Sequence, residues 1–176
     1  MADITIPSSA PRVALAAAGS DLSDSIETFL RLSELLTGFD RVELLRTGMV
    51  EPYYDEVIRV IGARDVGALL AVVDGLDAES GSETELETRL RTTILDDERY
   101  GPVARNIIAM WYLGSWAQLP REWRERNGAM SADFDRVVSA KAYREGLVWA
   151  AAGTHPMGAK QPGYASWAAP PTGERA

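Results

Sequence analysis

The sequence predicts an all-α fold, a single helical bundle of about five or six helices with an extended, irregular C-terminal tail. Apolar residues recur three and four positions apart, between capping side chains and glycines, as amphipathic helices require. No stretch alternates long enough to suggest a half-buried strand. The length of 176 residues fits one domain. We expect a flexible arm over residues 1–20, a helical domain over 21–153 and a tail over 154–176.

The first two helices are predicted from paired capping residues. Asp24 and Glu27 resemble a capping box, and the helical spacing that follows ends at Gly38. Asp40 and Glu43 repeat the pattern for a second helix, which Pro52 should break or kink before residues 53–61.

The next segments follow the same logic. Asp65 opens a short third helix that Gly75 closes, and residues 77–82 are predicted as a loop. Ser82 and Glu85 cap a fourth helix, with Leu86, Leu90 and Ile94 on one face.

The fifth helix is predicted to be central. Pro102 suits its first position, and it should run from residue 103 to about 117. Residues 119–127 are predicted as a charged connection. Ser139 caps a last helix that Gly153 stops, with Ala140, Tyr143, Leu147 and Ala151 on a shared face.

Composition excludes several classes of function. The net charge is −8, and no basic stripe is present that could neutralise nucleic-acid phosphates. The absence of cysteine excludes disulfides, iron–sulfur clusters and covalently attached haem. No apolar run approaches the roughly 20 residues that span a bilayer, so we expect no membrane span within this chain.

Catalytic motifs are missing as well. A single histidine cannot form an HExxH zinc site, and neither GxSxG, GxGxxG nor GxxxxGK[ST] occurs. The acidic run 96–98 is interpreted as a solvated helix end. The sequence therefore predicts no catalytic, cofactor-binding or metal-binding residue in this chain.

The aromatic residues are concentrated in the last third. All five tryptophans and the only histidine, His155, lie there. Trp111 and Tyr112 have the spacing of a bundle core, whereas Tyr164 and Trp167 lie among glycines and prolines and suit anchors in a partner's pockets. A tail folded back on its own bundle is the alternative. His155 is interpreted as a residue that holds the tail, the alternative being a catalytic group that reaches into a partner.

Four segments carry a resemblance to a known family. They are FLRLSELLTG at 29–38, WYLG at 111–114, AYREGLVW at 142–149 and HPMGAKQPGYASWAAPP at 155–171. Together they resemble the small subunit of membrane-associated, FAD-dependent sugar and alcohol dehydrogenases, the sorbitol dehydrogenase small-subunit family.

The resemblance implies a non-catalytic helper subunit. It implies a catalytic partner of the glucose–methanol–choline type that holds FAD, often accompanied by a multihaem cytochrome c subunit that holds haem c. Matching residues are expected as core or as partner interface. The core set is Trp111, Tyr112, Gly114, Tyr143 and Trp149; the interface set is His155, Pro156, Gly158, Pro162, Gly163, Tyr164 and Trp167.

Two further readings of the function stay open. In one, His155 contributes directly to the active site or electron-exit site of the partner. In the other, the chain is an independent helical binding module. The resemblance implies a periplasmic complex at the inner membrane, while a cytoplasmic location stays open because no Arg-Arg pair precedes the first helix.

Overall fold

A computed structural model describes residues 10–79 and 81–156, with side chains described for 21–76 and 81–156. The all-α class is confirmed, since helices account for most of these residues and the strands form a single short pair. The helices are α1 Ala10–Thr37, α2 Arg41–Thr47, α3 Val50–Ile61, α4 Ala63–Glu79, α5 Glu83–Leu90, α6 Gly101–Leu113, α7 Arg121–Asn127, α8 Ala140–Arg144 and α9 Leu147–Ala151. A π-helical turn, Arg91–Leu95, continues α5. The strands β1 Ser115–Trp116 and β2 Arg136–Val137 pair antiparallel, with Trp116 opposite Arg136.

Helix α1 begins earlier than the sequence predicts. It starts at Ala10 and passes through Asp24, so the predicted cap at that residue is wrong. Residues 10–20, which we had assigned to the N-terminal arm, therefore belong to α1. The alanine-rich run before Asp24 has high intrinsic helix propensity. The helix therefore already includes this run and does not begin at Asp24. Glu27 pairs with Arg41 of α2 instead of capping its own helix.

The caps predicted at Asp40, Ser82 and Ser139 are confirmed, whereas Asp65 lies inside the first turn of α4, which begins at Ala63. Asp40 accepts a hydrogen bond from the backbone N–H of Glu43 at 2.8 Å, and the Glu43 side chain accepts one from the N–H of Asp40. Ser82 and Ser139 each accept from the backbone N–H three residues later. Pro102 lies in the first turn of α6, where its missing N–H costs no hydrogen bond.

Several predicted helix boundaries are wrong, because Pro52 and Gly75 lie within helices that they were predicted to break or end. Helix α2 ends at Gly48, which has a left-handed conformation. Pro52 therefore lies in the first turn of α3, where a proline is tolerated. Gly75 lies inside α4, which continues to Glu79.

The second half of the chain differs from its prediction at three places. Helix α6 ends at Gly114 and not near residue 117, and the strand β1 follows it. Most of the predicted connection 119–127 is the helix α7. The predicted last helix is divided at Gly146 into α8 and α9, so Tyr143 and Leu147 do not share one helical face.

Helix α6 is central, as predicted. It contacts α1, α3, α8, α9, β1 and the π-helical turn. Trp111 is fully buried, and its ring packs edge-to-face against Tyr53 with the ring centroids 4.9 Å apart. Ile107 and Met110 are fully buried beside it. This helix fixes the positions of the segments that follow it.

Buried polar groups hold the irregular segment between α6 and α8. The Asn106 side chain donates to the carbonyl of Ala117 at 2.8 Å and accepts from its N–H at 3.0 Å. Asp133 accepts from the Trp116 indole and from the N–H of Leu119. Because these groups are buried, leaving any of them without its partner would cost stability.

Candidate functional site

A cleft of about 430 Å³ lies between α2 and the turn that joins α8 to α9. It combines apolar side chains with charges of both signs. The lining residues are Phe39, Glu43, Arg46, Thr47, Arg144, Glu145, Gly146, Leu147, Trp149, Ala150, Thr154, His155 and Pro156.

One wall is fixed by α2 and the residues that precede it. The capping box at Asp40 sets the direction in which α2 leaves α1. Phe39, just before the cap, packs edge-to-face on Tyr112 with the centroids 5.9 Å apart. The Tyr112 hydroxyl in turn donates to the carbonyl of Thr37 at 2.9 Å. The aromatic side chain on this wall therefore has a defined position.

The opposite wall is the α8–α9 turn. The Trp149 indole N–H donates to the carbonyl of Tyr143 at 2.8 Å, and the two rings pack edge-to-face with centroids 5.4 Å apart. The N–H of Thr154 donates to the carbonyl of Trp149, which closes the end of α9. The N–H of Trp149 also donates to the carbonyl of Gly146. Trp149 is thus held by three local hydrogen bonds and one ring contact.

Two glycines allow this wall to approach α6 closely. Gly114 has φ +68°, and a Cβ placed on it would lie 2.5 Å from the backbone carbonyl carbon of Ala142. A Cβ on Gly146 would lie 2.7 Å from the carbonyl oxygen of Tyr112. Ordinary van der Waals contact begins near 3.4 Å, so neither position has room for a side chain.

Some of the charged side chains around the cleft have partners within the described residues, and others do not. Arg46 and Arg144 are exposed, and neither makes an ion pair or side-chain hydrogen bond within the part of the chain that the structure describes. Glu43 is engaged in the capping box. The negative charge of Glu145 acts on the hydroxyl of Tyr53, whose pKa is raised mainly by burial and further by this carboxylate. The cleft therefore presents two guanidinium groups without an ion pair among the described residues, beside two carboxylates, Glu43 and Glu145, that already have partners.

The last described residues of the chain lie at this cleft. His155 is half-buried, and its Nδ1 lies 3.4 Å from the carbonyl oxygen of Pro156, which is buried. His155 and Pro156, two of the predicted interface residues, thus line the same cleft. The remaining predicted interface residues, Gly158, Pro162, Gly163, Tyr164 and Trp167, lie outside the described residues.

The predicted core residues fall into two groups. Trp111 is fully buried, Tyr112 is half-buried with its hydroxyl bonded, and Gly114 lies at the close contact with α8. Tyr143, by contrast, is 37% exposed and does not belong to the core. Trp149 is half-buried and forms a wall of the cleft.

A second hollow, of about 560 Å³, lies where the start of α4 meets the end of α7. Two of its arginines are engaged in ion pairs. Arg99 contacts Asp65 at 2.7 Å, and Arg126 contacts Glu98. The first cleft is the better candidate for binding, because both of its arginines lack an ion pair among the described residues, whereas only Arg64 does in the second hollow.

Neither a metal-binding cluster nor a membrane-spanning helix is found among the residues that the structure describes. Within 10–79 and 81–156, no group of three or more histidine or acidic side chains is placed to hold a metal ion. The Asp97 carboxylate accepts from the N–H groups of Arg99 and Tyr100, as expected for a helix end. None of the described helices combines the length and apolar character needed to cross a bilayer.

No protein-family model, no curated protein and no solved structure matches this chain.

Most residues of the cleft are not among the site residues predicted from the sequence. Phe39 precedes α2 and Arg46 lies in it, whereas Arg144 ends α8 and Glu145 follows it, about a hundred residues later. No spacing rule connects such distant positions. A signal was nevertheless present, because the AYREGLVW segment that forms one wall is among those that carry the family resemblance.

Proposed function

We propose that this chain is a non-catalytic small subunit that stabilises the FAD-containing catalytic subunit of a sugar or alcohol dehydrogenase complex. The catalytic subunit would be of the glucose–methanol–choline type, and a multihaem cytochrome c subunit would complete the complex. FAD and haem c would reside in these partners. The complex would lie in the periplasm at the inner membrane.

The observation that carries this proposal is the packing of the segments that carry the resemblance. Gly114 of WYLG contacts the backbone of Ala142, and Gly146 of AYREGLVW contacts the backbone of Tyr112. The last segment begins at His155, which lines the cleft beside the AYREGLVW segment. The glycines of WYLG and AYREGLVW thus have a packing role, as a structural subunit requires.

The mechanism of stabilisation would be linkage. A subunit that binds only the folded flavoprotein lowers the free energy of the folded state by RT ln(1 + [L]/Kd). At a free concentration of one hundred times Kd this amounts to about 2.7 kcal/mol. An effect of that size is a large fraction of a protein's net stability, so it would change the soluble yield of the partner.

Co-expression tests the proposal directly. The flavoprotein proposed as the partner is produced with the chain, without it, and with a Tyr164→Ala, Trp167→Ala variant. We expect the soluble, FAD-loaded yield, measured by flavin absorbance, to be high only with the unaltered chain. Equal yields with and without the chain would refute the proposal.

A His155→Ala variant separates a structural from a catalytic role of this residue. We expect weaker assembly, measured by size-exclusion chromatography, with unchanged turnover per assembled complex. Intact assembly with lost turnover would instead place His155 in the chemistry of the partner.

A further inference from the structure

We infer that the cleft between α2 and the α8–α9 turn binds an extended, acidic segment of a partner protein. A large apolar side chain of that segment would enter between Phe39 and Trp149, and neighbouring carboxylates would contact Arg46 and Arg144. The identity of the partner rests on the proposed function, whereas the chemistry of the segment rests on the cleft itself.

The sign of the ligand charge follows from the arginines. The chain as a whole carries a net charge of −8, which on average repels an acidic partner. At this cleft, however, Arg46 and Arg144 line the space without an ion pair among the described residues. The two carboxylates that also line it already have partners, since Glu43 is bonded to the backbone and Glu145 interacts within the chain. A guanidinium group binds carboxylates through paired, charge-assisted hydrogen bonds. The local complementarity therefore favours a carboxylate-bearing ligand.

The apolar part of the ligand follows from the aromatic walls. Phe39 and Trp149 are each held by an edge-to-face contact with a tyrosine, Tyr112 or Tyr143 respectively. Leu147 also lines the cleft and is buried. Side chains that are already fixed lose little conformational entropy on binding, so such a cleft is prepared to receive an apolar group.

The surface of α2 extends the cleft. Val42 is 63% exposed and Leu45 is 49% exposed, and both precede Arg46 within about one turn of the same helix. An extended segment that leaves the cleft past Arg46 would cover these two side chains. The same segment would thus bury apolar surface that is otherwise in water.

A selection from random dodecapeptides tests the inference on the full chain, without any partner protein. We expect the selected peptides to be rich in glutamate or aspartate beside an aromatic or leucine residue. Their affinity, measured by fluorescence anisotropy, should fall at least tenfold for Arg46→Gln and for Arg144→Gln, and further for Arg46→Glu. Arg91→Gln is the matched control, since Arg91 is exposed, lacks an ion pair among the described residues and lies away from the cleft.

Each outcome decides the question. Selected peptides without acidic enrichment, or a selection that yields no binder, would overturn the inference. So would an equal loss of affinity in Arg91→Gln, since that would reflect net charge alone. Thermal unfolding of each variant establishes that the fold is retained, and the neutral glutamine variants serve where charge reversal prevents folding.

Failure of this inference is distinguishable from failure of the proposed function. If the flavoprotein yield depends on the chain but Arg46→Gln and Arg144→Gln support it fully, the subunit role stands and the cleft is not its docking site. If acidic peptides bind the cleft but the flavoprotein needs no help, the cleft has a partner of another kind.

Discussion

Replacing Gly114 by alanine should destabilise the protein more than any other glycine-to-alanine change at a helix end of similar backbone conformation. Gly114 ends α6 with φ +68°, in a left-handed conformation that costs an L-residue about 1–2 kcal/mol. The added Cβ would also lie 2.5 Å from the carbonyl carbon of Ala142 and 2.6 Å from the N atom of Tyr143. Backbone atoms cannot rotate away, so α6 and α8 would have to separate by about 1 Å to restore ordinary contact.

The size of the effect can be worked out from a matched position. Gly38 ends α1 with φ +73°, and a Cβ there meets nothing within 4 Å. Gly38→Ala should therefore cost only the backbone strain, about 1–2 kcal/mol. Gly114→Ala adds an overpacking cost of typically 1–3 kcal/mol, for a total of about 2–5 kcal/mol.

Urea denaturation of the two variants measures this difference. We expect the midpoint of Gly114→Ala to be clearly below that of Gly38→Ala, with similar dependence on urea concentration. Equal destabilisation of the two variants would refute the reasoning, because it would mean that α8 does not approach α6 closely in solution.

Two further variants test other contacts. Asn106→Ala leaves the N–H and the carbonyl of Ala117 without their partner, and we expect a loss of about 1–3 kcal/mol in urea denaturation. Glu27→Gln removes an exposed ion pair with Arg41, whose hydrogen bonds lower the pKa of the carboxyl below its ordinary 4.5. This contribution is present above that value and disappears as the pH falls through the lowered pKa. We therefore expect a cost of only about 0.2–1 kcal/mol at neutral pH, and none at acidic pH in parallel unfolding curves.

The elements that could be predicted from sequence are those defined by short-range chemistry. The caps at Asp40, Ser82 and Ser139 involve a side chain and an N–H three residues later, so the interacting groups are close in sequence. The same spacing at Asp24 forms no cap, because α1 continues through that residue. The buried face of α6 was predictable for a similar reason, since Ile107 and Trp111 lie one helical turn apart.

The boundaries that could not be predicted depend on distant contacts. Gly75 has the composition of a stop signal, yet α4 continues through it. Gly146 interrupts the last predicted helix where the chain meets the carbonyl of Tyr112, which is more than thirty residues away in sequence. A glycine permits either outcome, and the packing partner decides between them.

The site was partly predictable for the same physical reason. His155 and Pro156 were predicted as interface residues from their residue types and from the composition around them, and both line the cleft. Phe39 and Arg46 were not, because a phenylalanine just before a helix and an arginine in its last turn are ordinary residues until the α8–α9 turn is placed opposite them. Exposed unpaired charge is a property of the folded surface and has no signature in sequence.

The position of His155 and Pro156 links the two proposals physically. Since these residues line the cleft, residues 157–176 start beside the surface inferred to hold the partner's acidic segment. Once the cleft is occupied, any contact that Tyr164 or Trp167 makes with the same partner becomes effectively intramolecular, which raises affinity without additional contacts in the cleft. Two individually weak sites could then suffice for a stable subunit contact. The isolated peptide experiment measures the first site alone, and co-expression measures both together, so a modest peptide affinity is compatible with a strong effect on the flavoprotein.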